Sequence, residues 1–213
     1  MTPIRTVFLL GSALALSACG TAEAPVAEEA PAPAAPVEAV EPAPAPAAAQ
    51  LAASARATLA PLGDSGVGGE LVFDIADGGV RVTGTLAGLQ PGATHALHVH
   101  EFGDCSAPDG TSAGGHFNPG QQPHGDRATG GPHHAGDIPN QTAGDNGEAT
   151  VDQVLAGLEI ASGGAYDIVG KGVIVHAQAD DYTTQPTGNA GGRIACGVIE
   201  PVNAPPADAG PAE

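Results

Sequence analysis

Positive charge is the scarcest property of this chain: 6 lysines and arginines stand against 24 aspartates and glutamates in 213 residues, a formal net charge of -18. That balance argues against nucleic acid as a partner and against an electrostatic membrane contact. Long apolar runs are also absent. The longest candidate, Val7 to Leu16, is too short for a membrane-spanning helix. No stretch keeps a helical period, and prolines break even the alanine-rich part.

What is present divides the chain into unequal parts. Arg5, the apolar run after it and the small-residue stretch Leu16-Ser17-Ala18-Cys19 read as an export signal over residues 1–18. The last four residues resemble the bacterial lipoprotein box, which implies cleavage before Cys19, lipidation of Cys19 and a membrane contact made only through that lipid. A plain secretory signal with an incidental cysteine is the alternative. Residues 19–53 are nearly all Ala, Pro, Glu and Val, and are expected to form an extended spacer without regular structure. A domain over 54–200 and a flexible tail over 201–213 complete the division. The expected location is the bacterial periplasm or cell envelope, with the domain tethered to a membrane.

Inside the domain, short alternating segments predict strands at 55–60, 69–75, 79–86, 94–100, 137–142, 148–155, 173–176 and 193–199. Turn sequences such as Asp77-Gly78-Gly79 and Asp145-Asn146-Gly147 separate them. The fold class is therefore all-β: an eight-stranded antiparallel Greek-key barrel or sandwich. Two connections, 101–136 and 177–192, far exceed what a hairpin needs, and long loops of this kind usually carry function. Cys105 and Cys196 fall in the domain. In an exported protein they are expected to pair, with free or metal-binding thiols as the alternative.

Histidine concentrates around the first long loop. His98 and His100 are two apart on a strand, so both leave the same face while Val99 points to the other. His176 ends another strand. Such imidazoles suit copper, zinc, iron or nickel, and spacing alone does not choose among them. A second set, His116, His124, His134 and Asp137, offers three nitrogens and a carboxylate, a set zinc accepts. No Glu or Ser arrangement of a zinc hydrolase accompanies either set.

Five motifs in order carry a family resemblance: Leu97-His98-Val99-His100-Glu101-Phe102-Gly103-Asp104, Gly114-Gly115-His116-Phe117-Asn118-Pro119, His134-Ala135-Gly136-Asp137, Val175-His176-Ala177 and Gly188-Asn189-Ala190-Gly191-Gly192-Arg193-Ile194-Ala195-Cys196. Together they resemble the copper/zinc superoxide dismutases from about Ala55 to Glu200. The resemblance implies copper held by His98, His100, His116 and His176, and zinc held by His116, His124, His134 and Asp137, with the His116 imidazole shared. It implies a supporting carboxylate at Asp180, with Asp181 the rival by one register. His95 is implied to be a structural histidine beside the site, and Cys105–Cys196 a disulfide. His133 is left as an exposed neighbour of His134. The substrate would be superoxide, guided by Arg193 to a cycling copper ion, with His116 delivering a proton.

The chain departs from the family pattern in its loops. Ten residues separate Cys105 from His116, the stretch between His124 and His134 is one residue longer than in typical relatives, and Asp181 to Gly188 contains no lysine or arginine. These changes spare the ligands and bear on substrate guidance and subunit contacts, leaving monomer and homodimer both open. A non-catalytic copper/zinc-binding module of the periplasm is the alternative function.

Overall fold

The computed structural model describes residues 54–202. The expected signal, Cys19, the spacer and nearly all of the tail lie outside the described residues. Nine strands follow in order: β1 (Ser54–Pro61), β2 (Gly68–Ala76), β3 (Gly79–Ala87), β4 (Thr94–His100), β5 (Asp137–Thr142), β6 (Ala149–Ala156), β7 (Gly172–His176), β8 (Arg193–Val198) and β9 (Glu200–Pro201). All pairings are antiparallel, in the order β5-β4-β7-β8-β1-β2-β3-β6, and β9 adds to β1. Neighbours in this order are often not neighbours in sequence, as the Greek-key expectation requires. β5 and β6 lie side by side and nearly close the barrel.

Strand β1 makes the corner between the two halves. Its first six residues pair with β2, while Ala60 and Pro61 pair with β8. One half, β1-β2-β3-β6, keeps the alternation of a sheet with one face in water: Ala55, Ala57 and Leu59, then Leu71 and Phe73, then Val80, Val82 and Leu86, then Val151 and Leu155 point into the core. The other half differs. β7 is buried along its whole length and β4 from His95 onward, because the long connections cover the outer face. Leu97, Val99, Val173 and Val175 still face the core. The opposite face therefore carries buried histidines instead of exposed polar residues.

The loop over 101–136 is tied down by main-chain hydrogen bonds. Phe117 N donates to Val99 O at 2.8 Å, Val99 N to Gly136 O at 2.9 Å and Gly136 N to Phe117 O at 2.8 Å. A Cβ at Gly136 would sit 2.2 Å from Val99 O, so only glycine permits this approach. Cys105 and Cys196 form a disulfide with Cα atoms 5.8 Å apart, packed with Ala113 and Ile174. The bridge closes a separation of 91 residues, and a loop of that size corresponds to about 4–5 kcal/mol in the loop-entropy model.

Two differences from the expected strands have simple causes. The ninth strand, Glu200–Pro201, is two exposed residues at the edge, too short to show a period, and it carries pairing one residue past the expected domain end. Register shifts interrupt β4 between His95 and Leu97 and β8 opposite Val175 and His176. Such irregularities re-aim side chains locally, and both border the histidines.

Candidate metal centre

The outward face of β4 and the end of β7 bring His98, His100 and His176 together. His116 joins them from the loop, which is held in place by its bridge to His100. A second group, His116, His124, His134 and Asp137, shares His116. All of these residues are buried, and in each group one possible ligand atom per residue lies within 4.8 Å of the others.

The hydrogen bonds decide which nitrogen of each ring is free. Asp180 accepts from His98 Nε2 through Oδ2 and from His124 Nε2 through Oδ1, both at 2.8 Å. A carboxylate only accepts, so these nitrogens carry hydrogen and Nδ1 is the atom of each ring that can turn toward a metal. His100 Nδ1 donates to Gly114 O at 3.1 Å and His176 Nδ1 to Gly191 O at 3.3 Å. Their Nε2 atoms are left facing each other 3.4 Å apart. His98 Nδ1, His116 Nε2, His124 Nδ1 and His134 Nδ1 are buried without a hydrogen-bond partner. Orphaned nitrogens converging in pairs of clusters are costly unless something fills the space between them.

Asp137 sits at the middle of the second cluster. Its carboxylate accepts from His116 Nδ1 at 2.9 Å, Gly125 N at 3.2 Å and His134 N at 2.8 Å. His124 Nδ1 comes within 3.0 Å and His134 Nδ1 within 3.5 Å, yet neither is aligned to donate. Ligands on a tetrahedral zinc with bonds near 2.0–2.1 Å stand about 3.3 Å apart, which is this spacing. The residues present therefore fit one ion in each cluster.

Electrostatics separate the clusters. Burial drives His100 down to about 2, helped by His116, and drives His176 down to about 3, helped by His98. His116 is likewise lowered by burial to about 4, although Asp137 opposes the shift. These rings are neutral, with lone pairs ready. Burial would lower His124 too, but the facing carboxylates of Asp137 and Asp180 raise it to about 9. Burial also works to raise Asp137 and Asp180, and the surrounding histidines overcome it, holding both well below the ordinary carboxylate range.

Each expected site residue can now be placed. Asp180, not Asp181, spans His98 and His124; Asp181 is exposed and accepts from the Thr183 and Thr184 amides. His95 Nδ1 donates to His176 O at 2.9 Å, fixing the end of β7 from behind. Arg193 donates through Nη1 to Gly110 O at 2.5 Å and through Nη2 to Gly114 O at 2.6 Å, so it shares the Gly114 carbonyl with His100. His133 is outside both clusters, half-buried rather than exposed, with Nδ1 donating to Gly131 O at 2.7 Å.

Several supports were not apparent from the sequence. Asn140 grips the main chain of Asp180 at both N and O, 2.8 and 2.9 Å. Gln185 does the same for His124, 2.9 and 2.8 Å. Gly188 lies against this junction with φ of 64°, and a Cβ there would come 1.8 Å from Asp180 Oδ1 and 2.6 Å from His124 Nε2. A Gly in the motif was visible, but its reason lies in a contact across loops.

Comparison with known proteins points the same way. The family model described as copper/zinc superoxide dismutase matches residues 67–199. The superoxide dismutase-like protein YojM of Bacillus subtilis is 40% identical over 126 residues, covering 58% of this chain and 64% of that protein's length. A superoxide dismutase [Cu-Zn] of Deinococcus radiodurans is 36% identical over 151 residues, 64% of this chain and 79% of its own. The crystal structure of a SOD-like protein from Bacillus subtilis superposes with a TM-score of 0.61 at 37% identity, covering 67% of this chain and 96% of that one.

Proposed function

The chain belongs to the copper/zinc superoxide dismutase family, and from that premise we propose that it is a working dismutase, turning superoxide into oxygen and hydrogen peroxide. The observation that carries this is the complete double cluster. His98, His100, His116 and His176 would hold copper, and His116, His124, His134 and Asp137 zinc, with free buried nitrogens already aimed at both positions.

Copper supplies one-electron redox chemistry when bound, while zinc does not change oxidation state. The protein's own residues do the rest. His116 is the residue common to both clusters, and with Nδ1 turned to Asp137 its buried Nε2 is suited to hold a proton and hand it to reduced substrate. Asp180 fixes the hydrogen-bearing nitrogens of His98 and His124, and thereby their orientation. Arg193 uses two of its N–H groups on the loop carbonyls and has others left to draw in and orient a small anion. The segment 177–192 contributes no cation, and the Arg193 charge is close enough to bear on His100 and His176. Export to the periplasm or envelope is part of the same reading, supported by the signal-like start of the chain and by the disulfide.

A second reading, metal binding without turnover, is favoured by the name of the Bacillus subtilis relative, which is called only dismutase-like. Stopped-flow decay of superoxide on the protein reconstituted with both metals separates the two. Turnover with one peroxide formed for every two superoxides consumed is expected. His116→Ala should lower the rate by about 10²–10⁴-fold, the usual worth of positioned proton transfer. Metal uptake without decay would establish the second reading instead.

A further inference from the structure

Between His124 and His134 the loop carries a single cation, Arg127. It opens the 3-10 turn Arg127–Thr129, which is capped by the Asp126 side chain accepting from Ala128 N at 2.8 Å and ended by Gly130 at a φ of 71°. This turn directs the guanidinium back against the loop's own main chain. Nε donates to Asp137 O at 2.8 Å, Nη1 to Ala156 O at 3.1 Å, and Nη2 to Ala135 O and, at 3.4 Å, to His134 O. Three of these carbonyls belong to the His134–Asp137 segment, which supplies two members of the second cluster. The fourth ends β6.

A guanidinium is planar and rigid, so its forked donors fix several acceptors at set distances from one another. Bonds from a charged donor are stronger than neutral ones. Here they are spent on main-chain oxygens, and the Arg127 hydrogen bonds among the described residues go to no side chain. Apart from the two main-chain bonds of Gly136 to Val99 and Phe117, the segment they hold has no ladder before Asp137 opens β5. Ala128, Thr129 and Gly130 beside it are exposed and contribute no packing that would do the same work.

We propose that Arg127 is a positioning residue for the zinc half of the site: it fixes the spacing of His134 and Asp137 before metal arrives, so that zinc does not have to order the loop. This rests on the reading of the second cluster as a zinc site. Its consequence is selective, because none of the strand-borne residues His98, His100 and His176 is hydrogen-bonded to the guanidinium. Lysine at this position keeps the charge and much of the stem but presents one compact donor group where four carbonyls need a fork.

The test uses metal-free, folded, disulfide-intact protein, reloaded with zinc against a competing chelator and separately with Co(II), whose visible absorption reports tetrahedral geometry. Wild type, Arg127→Lys and Arg127→Gln are compared, with β-sheet circular dichroism confirming the fold. Both variants should bind zinc about 10–100-fold more weakly with an altered Co(II) spectrum, the usual effect of removing an outer support, while copper affinity moves by less than about threefold. Arg127→Lys, the milder change, stands as the deciding variant if Arg127→Gln does not fold. Zinc affinity and Co(II) spectrum unchanged in Arg127→Lys would overturn the proposal. Equal loss of both metals would also overturn it, reducing Arg127 to a support of the whole fold. A wild-type protein that takes up neither zinc nor Co(II) at the cluster would remove the zinc-site reading and the proposal with it.

Discussion

His98, His100 and His176 ride on β4 and β7, whereas His124 and His134 hang from the long loop, which has little ladder of its own, and Asp137 stands where that loop enters β5. In the strand-borne half, His100 and His176 are positioned by hydrogen bonds to the main-chain carbonyls of Gly114 and Gly191, and His98 alone leans on a carboxylate, that of Asp180. Burial first, and neighbouring positive charge second, keeps the His100 and His176 rings neutral. The loop-borne half is held by charge: Asp137 and Asp180 against the histidines, and Arg127 against the carbonyls. Strands fix a ligand's direction through the pleat, at no extra electrostatic cost. A loop must be fixed by contacts made after the chain has turned, and charged hydrogen bonds are the strong ones available.

The largest way to break this difference is at Asp180, which touches both halves. Asp180→Asn keeps the shape and removes the charge, so one of its two histidine contacts loses an acceptor. Zinc affinity is expected to fall about 10–100-fold, the usual result for such a partner, with copper less affected. Chelator competition for each metal in turn checks this. Equal losses would show that the two halves are supported in the same way.

How much of this was open to sequence reading follows from the same physics. Alternation exposed Leu71, Phe73, Val80 and Val82 as core residues, because a sheet with one wet face writes its period into the chain. His98 and His100 were readable for the same reason. The ordered motifs marked His116, His134, Asp137 and His176 as candidate ligands, His124 was read from the concentration of histidine in the loop, and the structure brings all seven residues into two adjoining clusters. The choice between Asp180 and Asp181 needed the actual turn. Arg127, Asn140 and Gln185 were invisible because a side chain gripping a distant main chain leaves no period and no motif. The one available sign was an arginine between two ligands in a chain so poor in cations.

A smaller effect sharpens the contrast through pH. In the metal-free protein His124 is raised to about 9 by its two carboxylates, while zinc requires its unprotonated nitrogen. Zinc binding should therefore release one proton and strengthen about tenfold for each pH unit between about 6.5 and 9, flattening above that. Copper binding to His100 and His176, neutral well below this range, should show no such slope from these two groups. The sign for folding follows. A raised His124 stabilises the metal-free fold below pH 6.5 and loses that contribution as pH passes 9, whereas the lowered His100 and His176 cost stability as pH falls from 6.5 toward 3. Zinc and copper titrations followed by proton release across this range test the first statement directly.

The central claim is that one imidazole, His116, lies between two different metals. Anomalous diffraction from a metal-loaded crystal, collected at the copper and zinc absorption edges, tests it with least interpretation. The account predicts a copper peak among His98, His100, His116 and His176 and a separate zinc peak among His116, His124, His134 and Asp137, on opposite sides of the His116 ring. A single zinc peak, or two peaks that do not flank His116, would contradict it.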